Sequence, residues 1–163
     1  MDFDSFAANP QLIEALERRS STLQFSDGLM LFRQGEPCKG LYILKTGEAA
    51  LVLQSLAGRG VMCLHAGPGS LLGLPAVVGR EPYSLSAIIR KDSEVRFVSR
   101  ADFESLIQDE PWLYPTVLQV LAAEVRAARR TLAERKHLHL PAKSHPGRRT
   151  YKKAVGRGLR AAN

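Results

Sequence analysis

Cysteine is scarce in this chain of 163 residues: Cys38 and Cys63 stand 25 positions apart, with no CxxC spacing. That excludes a disulfide framework, a thiolate zinc site and a cysteine-ligated iron–sulfur cluster, and leaves two free thiols, buried or half-buried. Long hydrophobic runs are missing too. The longest strongly apolar stretch, Leu71 to Val78, is eight residues and holds Gly73 and Pro75, whereas a spanning helix needs about 20. Met1-Asp2-Phe3-Asp4 is acidic, with neither the basic nor the apolar segment of a secretory signal, so the chain reads as cytoplasmic. Catalytic signatures are also lacking. No GxSxG, HExxH, phosphate-loop or GxGxxG pattern occurs, and His65 is the only histidine before residue 137. It lies two residues from Cys63 at an expected strand end, an arrangement commoner on surfaces and in cores than in nucleophilic dyads. The chain is read as non-enzymatic.

What is present is ordinary globular material. At 45% hydrophobic the chain is too apolar to be wholly disordered. Its length suits one domain burying about 70% of the surface exposed when unfolded. Charge is distributed unevenly. Residues 1–135 carry 15 basic and 16 acidic side chains, while residues 136–163 carry eight basic ones and no acid. The formal net charge of +7 therefore belongs to the last segment, where Lys136, Lys143, Arg148, Arg149, Lys152, Lys153, Arg157 and Arg160 alternate with prolines and glycines. A folded body over 9–135, followed by a solvated, mobile basic tail over 136–163, is the expected organisation.

Asn9-Pro10 is a helix start, since Asn caps and Pro fits the first helical position. Leu12, Ile13 and Leu16 follow on one face. From Leu23 to Val98 the texture changes to short strands, Leu23–Phe25, Leu29–Arg33, Leu41–Leu44, Glu48–Gln54, Val61–His65, Ser84–Ile89 and Glu94–Val98. Turn signals such as Ser26-Asp27-Gly28, Thr46-Gly47 and Gly67-Pro68-Gly69 separate them. That rhythm predicts a closed or sandwiched antiparallel β structure. Ser99, with Asp102 three residues on, caps a helix whose stripe is Phe103, Leu106 and Ile107. A longer helix runs from between Pro111 and Pro115 to about Arg135. In it Leu118, Leu121, Val125, Ala128 and Leu132 form an a/d seam lasting two heptads. The seam packs either on the protein's own β body or on a second copy. Arg126, Arg129 and Arg130 around so narrow a stripe favour the dimer.

The runs Leu31-Phe32-Arg33-Gln34-Gly35-Glu36, Leu41-Tyr42-Ile43-Leu44-Lys45-Thr46-Gly47 and Gly67-Pro68-Gly69-Ser70-Leu71-Leu72-Gly73 resemble the cyclic-nucleotide-binding domain of the catabolite-activator (Crp/Fnr) family. The glycines carry the likeness, at sharp turns that favour φ > 0. The resemblance covers about residues 10–135. It implies a β jelly roll with flanking helices, a ligand pocket inside the roll, and dimerisation through the long helix. Nucleotide-binding members carry a phosphate cassette like F-G-E-L-A-L, a variable loop, then P-R-S-A. A short helix N-terminus and the Arg meet the phosphate, and the Glu meets the ribose. Here the matching run is Leu72-Gly73-Leu74-Pro75-Ala76-Val77, then Gly79-Arg80-Glu81-Pro82-Tyr83-Ser84-Leu85. Leu74 stands in place of the Glu and Tyr83 in place of the Arg. The expected pocket is therefore a degenerate cassette of Gly73, Leu74, Pro75, Ala76, Arg80, Tyr83 and Ser84. Arg80 either swings in toward a ligand or stays a solvated surface charge.

Regulators of this family continue into a winged helix-turn-helix of about 70–80 residues, whereas 28 residues follow Arg135 here. A stand-alone sensory domain, a regulator without its reading head and a truncated or frameshifted gene are the readings that follow. The tail residues Arg148, Arg149, Lys152, Lys153, Arg157 and Arg160, with Tyr151 among them, either bind nucleic acid through phosphates or stay solvated. His137, His139 and His145 lack a fourth ligand and a folded frame, so no metal site is expected. Membrane binding is disfavoured, because no amphipathic apolar face or lipidation motif accompanies the basic residues.

The expectation is thus an α+β, mainly β protein: a double-stranded β-helix, or jelly-roll β-roll, with a short N-terminal and a long C-terminal helix. Its role is regulatory or sensory, with no cofactor, cyclic nucleotide disfavoured and some other small ligand left open. A homodimer is expected. The alternative is a nucleic-acid-binding protein or truncated transcriptional regulator acting through the tail.

Overall fold

The computed structural model describes residues 6–134. Helix α1 (Pro10–Glu17) begins where Asn9 accepts the Leu12 N–H at 2.9 Å, and buries Leu12, Ala15 and Leu16. Eight strands follow: β1 (Ser21–Phe25), β2 (Met30–Phe32), β3 (Gly40–Leu44), β4 (Glu48–Gln54), β5 (Gly60–Ala66), β6 (Leu71–Leu72), β7 (Ser86–Lys91) and β8 (Ser93–Ser99). Helix α2 (Leu74–Gly79) interrupts them after β6. Helix α3 (Arg100–Asp109) starts at Ser99, whose hydroxyl accepts the Asp102 N–H at 3.1 Å. A 3₁₀ turn, Pro111–Leu113, leads into α4 (Tyr114–Glu134).

The strands form two antiparallel sheets, ordered β1-β8-β3-β6 and β2-β7-β4-β5. This is the expected jelly roll with its short first helix and long last one. Alternation along β3 divides the core in two. Leu41 and Ile43 turn outward to meet Leu12, Leu16, Leu106 and Val117 of the helices. Leu44 turns inward between the sheets, with Phe32, Leu51, Leu64, Ile89 and Val95. No helix among the described residues is long and apolar enough to cross a membrane. The tail 136–163, with Arg148, Arg149, Lys152, Lys153, Arg157 and Arg160, lies outside the described residues.

Most strand ends shift by one or two residues from the expectation, β1 for instance starting at Ser21 rather than Leu23, and two differences have a tertiary cause. Leu71–Leu72 is a strand, paired with Ile43 and Tyr42, that no alternation could announce in two residues. The strand expected from Ser84 begins at Ser86. Upstream, Tyr83 donates its N–H to Glu36 O at 3.0 Å and accepts the Gly35 N–H at 2.8 Å. The 33–37 turn thereby holds this stretch outside the ladder.

Gly47 shows why the turn glycines matter. Its φ is +88°, and an added Cβ would lie 2.0 Å from Ser93 Oγ and 2.7 Å from the Asp92 carbonyl. Gly47→Ala is expected to cost about 2 kcal/mol or more, since backbone strain and a clash act together. Urea denaturation checks it, and a loss below about 0.5 kcal/mol would refute the reading.

Candidate functional site

The site is built where β6 ends. Gly73 adopts φ +88° and turns the chain from β6 into α2, with Pro75 in the helix's first turn. An added Cβ at Gly73 would stand 2.9 Å from Cε1 of Tyr83. The glycine therefore serves both the turn and the close seating of that ring.

Tyr83 is the centre of the arrangement. Its side chain enters the roll and is 4% exposed. The ring stacks on Phe32, with centroids 4.0 Å apart and planes at 15°. Phe32 in turn stacks on Tyr42, which leans on Phe97. The Tyr83 hydroxyl donates to Gly40 O at 2.7 Å and lies 3.3 Å from the N–H groups of Lys39 and Gly40. Burial, foremost, pushes its pKa up, so it remains a neutral phenol. Cys38, half-buried, sits beside it.

The space that the cassette residues enclose beside Tyr83 is about 10 Å³, lined by Phe32, Leu51, Gly73, Pro75, Ala76, Tyr83, Ser84, Leu85 and Glu124. That is barely room for one water, whereas small-molecule pockets measure roughly 300–1,000 Å³. Beyond the Phe32–Tyr83 pair, a cleft of about 260 Å³ is lined by Leu31, Glu36, Pro37, Lys39 and Tyr42.

Gly73, Pro75, Ala76, Tyr83 and Ser84 thus surround one point, while two residues of the expected cassette do not. Leu74 is fully buried in the outer core, packed with helix residues, and lines no part of the roll's interior. Helix α2 starts at Leu74, and Leu74 and Val77 of that helix both pack into the helix-side core. Arg80 is the only non-glycine residue at positive φ (56°) among the described residues. Its Nε lies 3.2 Å from a Glu104 carboxylate oxygen, and its side chain is 71% exposed. It borders a groove of about 260 Å³ between α2, α3 and α4. The structure places Arg80 at the surface, where the loop directs it to Glu104.

Sequence reasoning missed Phe32, Leu51, Leu85 and Glu124, which come from four separate elements or loops. Glu124 is the consequential omission. It stands on α4, is 9% exposed, and borders the roll's interior. Desolvation pushes its carboxyl up to about 7. Among the described residues it has no hydrogen bond or ion pair. One acid set between apolar neighbours on a helix otherwise charged mainly by arginine was the available signal.

The seam has also been placed. The buried residues of α4 are Val117, Val120, Glu124 and Ala127, each one position before the seam, while Leu121, Ala123 and Ala128 pack on the body in part. Leu118, Val125 and Leu132 are 62%, 48% and 37% exposed, while Leu121 and Ala128 are half-buried. The reading in which the whole seam packs on the β body does not hold, because the helix turns a different stripe inward. No cluster of three or more metal-binding side chains occurs among the described residues.

Comparison with known proteins gives a consistent picture. The family model "Cyclic nucleotide-binding domain" matches residues 22–110. The chain is 31% identical over 127 residues to the CRP-like cAMP-activated global transcriptional regulator of Mycobacterium tuberculosis, a match covering 77% of this chain and 56% of that one. It is 28% identical over 104 residues to the cyclic AMP receptor protein of Thermus thermophilus, covering 64% and 48% respectively. It thus spans about half the length of these relatives. The crystal structure of the Thermus thermophilus catabolite activator protein superposes with a TM-score of 0.66 at 25% identity, covering 77% of this chain and 59% of that one.

Proposed function

Since the chain belongs to the cyclic nucleotide-binding domain family, in its Crp/Fnr branch, we propose that it is a non-enzymatic cytoplasmic regulatory protein whose roll is closed by its own Tyr83 rather than by a cyclic nucleotide. The observation that carries this reading is the Tyr83 side chain, stacked on Phe32 and bonded to Gly40 where the resemblance expects a phosphate-binding arginine. The degenerate cassette then has a physical form: an aromatic plug substitutes for the ligand in filling the interior. Calorimetric titration with cyclic AMP and cyclic GMP tests it. Dissociation constants below about 10 μM, some 7 kcal/mol, would overturn the reading.

The same protein is read as a homodimer through α4. Support comes from the exposed apolar row Leu118, Val125 and Leu132 beside the stripe that packs on the body. Leu118→Glu tests it at an exposed seam position, whereas Leu121 also packs on the outer core of its own chain. The variant is expected to sediment as a folded monomer at tens of micromolar, where wild type is a dimer. Wild type found monomeric under those conditions would remove the claim.

A second reading rests on the eight basic residues and absence of acids in 136–163. Phosphate contacts from this segment would give nucleic-acid binding that weakens steeply with salt. Loss of such binding on deleting 136–163 would favour it.

A further inference from the structure

Resting on the dimer reading above, we infer that Glu124 of each copy pairs with Arg129 of the second copy across a parallel α4–α4 contact. Each chain thereby supplies a counterion that the other's buried carboxylate lacks among the described residues of its own chain.

Heptad positions carry the argument. With Leu118, Val125 and Leu132 at a and Leu121 and Ala128 at d, the g positions are Val117, Glu124 and Thr131. The e positions are Pro115, Ala122 and Arg129. Each flank of the seam therefore carries one charge, and the two are opposite. In a parallel pair the g flank of one helix lies along the e flank of its partner, about five residues further on. That offset runs from 124 to 129. An antiparallel pair sets g against g, leaving Glu124 opposite valine, threonine or another glutamate.

Among the described residues neither has a partner in its own chain. On α4 the neighbours of Glu124 at three and four residues are Val120, Leu121, Ala127 and Ala128, so no cation is within helical reach. Among the described residues, Phe32, Leu51, Pro75, Ala76, Ser84 and Leu85 stand around it, with Tyr83 the one titratable group of that lining; its hydroxyl is committed to Gly40. Arg80, at the end of α2, is paired with Glu104. Strand β5, packed on α4, turns Met62, Leu64 and Ala66 inward and therefore Cys63 and His65 to its other face. Arg129 is exposed and has no carboxylate partner among the described residues. Pairing would cover Glu124 with a guanidinium while the seam closes.

Proton linkage makes this measurable. The isolated protomer holds Glu124 protonated up to about 7, while a facing arginine favours the carboxylate. Association then releases protons, one per chain, so it tightens as pH rises. From pH 6 to pH 8 the wild-type dimer is expected to tighten on the order of 100-fold. The test is dilution of fluorophore-labelled full chain, followed by anisotropy and sedimentation, with circular dichroism to confirm folding. Arg129→Glu changes an exposed side chain, so its fold should stand; its dimer should be weaker by at least about tenfold at pH 8. Glu124→Gln should leave a pH dependence below about threefold. A wild type dimeric but indifferent to pH, or one matched by Arg129→Glu at pH 8, would overturn the pairing and leave the dimer reading standing. A wild type monomeric at about 100 μM from pH 6 to 8 would overturn both.

Discussion

Titration of the full chain with cyclic AMP or cyclic GMP is expected to give dissociation constants in the high-micromolar to millimolar range. A cyclic phosphate keeps its negative charge on entering the roll. Without an arginine, its desolvation is offset only by backbone N–H groups. Removing one partner of a buried charge pair costs about 2–5 kcal/mol, which is roughly 30- to 4,000-fold in affinity. A steric term acts in the same direction. The space beside Tyr83 that the cassette residues line has about 10 Å³ free, so a nucleotide seated there must first displace the Tyr83 ring from Phe32 and its hydroxyl from Gly40. Tyr83→Arg is the informative restoration, since it removes the plug and returns the cation in one step. It should tighten binding at least tenfold if the rest of the cassette keeps a binding geometry. Restoring the acid as Leu74→Glu is a poorer experiment. Leu74 is fully buried among helix residues, and a carboxylate placed there would be desolvated without a partner, threatening the fold. A wild-type constant below about 10 μM would mean that other groups supply the phosphate's counter-charge and that the plug opens at little cost.

Tyr83→Ala is expected to lower stability by about 3–5 kcal/mol, the range for deleting a buried aromatic ring. Domains of this size are stable by only about 5–15 kcal/mol, so the loss would be a large fraction of the whole. Three contributions combine: the ring's burial against Gly73, its stack on Phe32, and the hydroxyl's bond to Gly40. Tyr83→Phe separates them. It keeps the ring and strands the Gly40 carbonyl, at about 1–2 kcal/mol. Urea midpoints of both variants at pH 7 provide the measurement. An alanine variant within about 1 kcal/mol of wild type would show that the ring is not the plug described. In that event the low nucleotide affinity would need another cause.

Much of this molecule follows from short-range chemistry that one sequence displays. Asn9-Pro10 and Ser99 cap helices because a side-chain oxygen meets backbone donors two or three residues on. Gly47 and Gly73 mark reversals that side chains resist, since only glycine enters φ near +88° freely. The strands between the turns, the two-sheet roll they imply and the a/d row of α4 are therefore legible from residues 9–134, whereas the side to which that row turns is not. So is the absence of the cassette's Glu and Arg, since Leu74 and Tyr83 simply stand there. Two-residue β6 and the late start of β7 were hidden, because pairing partners far along the chain set both. Tertiary structure alone decided which way three side chains turned. Leu74 went outward to the helix core, Arg80 went to Glu104, and Tyr83 went inward to fill the roll. It also put Glu124, remote in sequence from the cassette, at the same interior. Such outcomes depend on which apolar volumes must be filled and which charges find partners across the fold, quantities that exist only once distant segments are packed together.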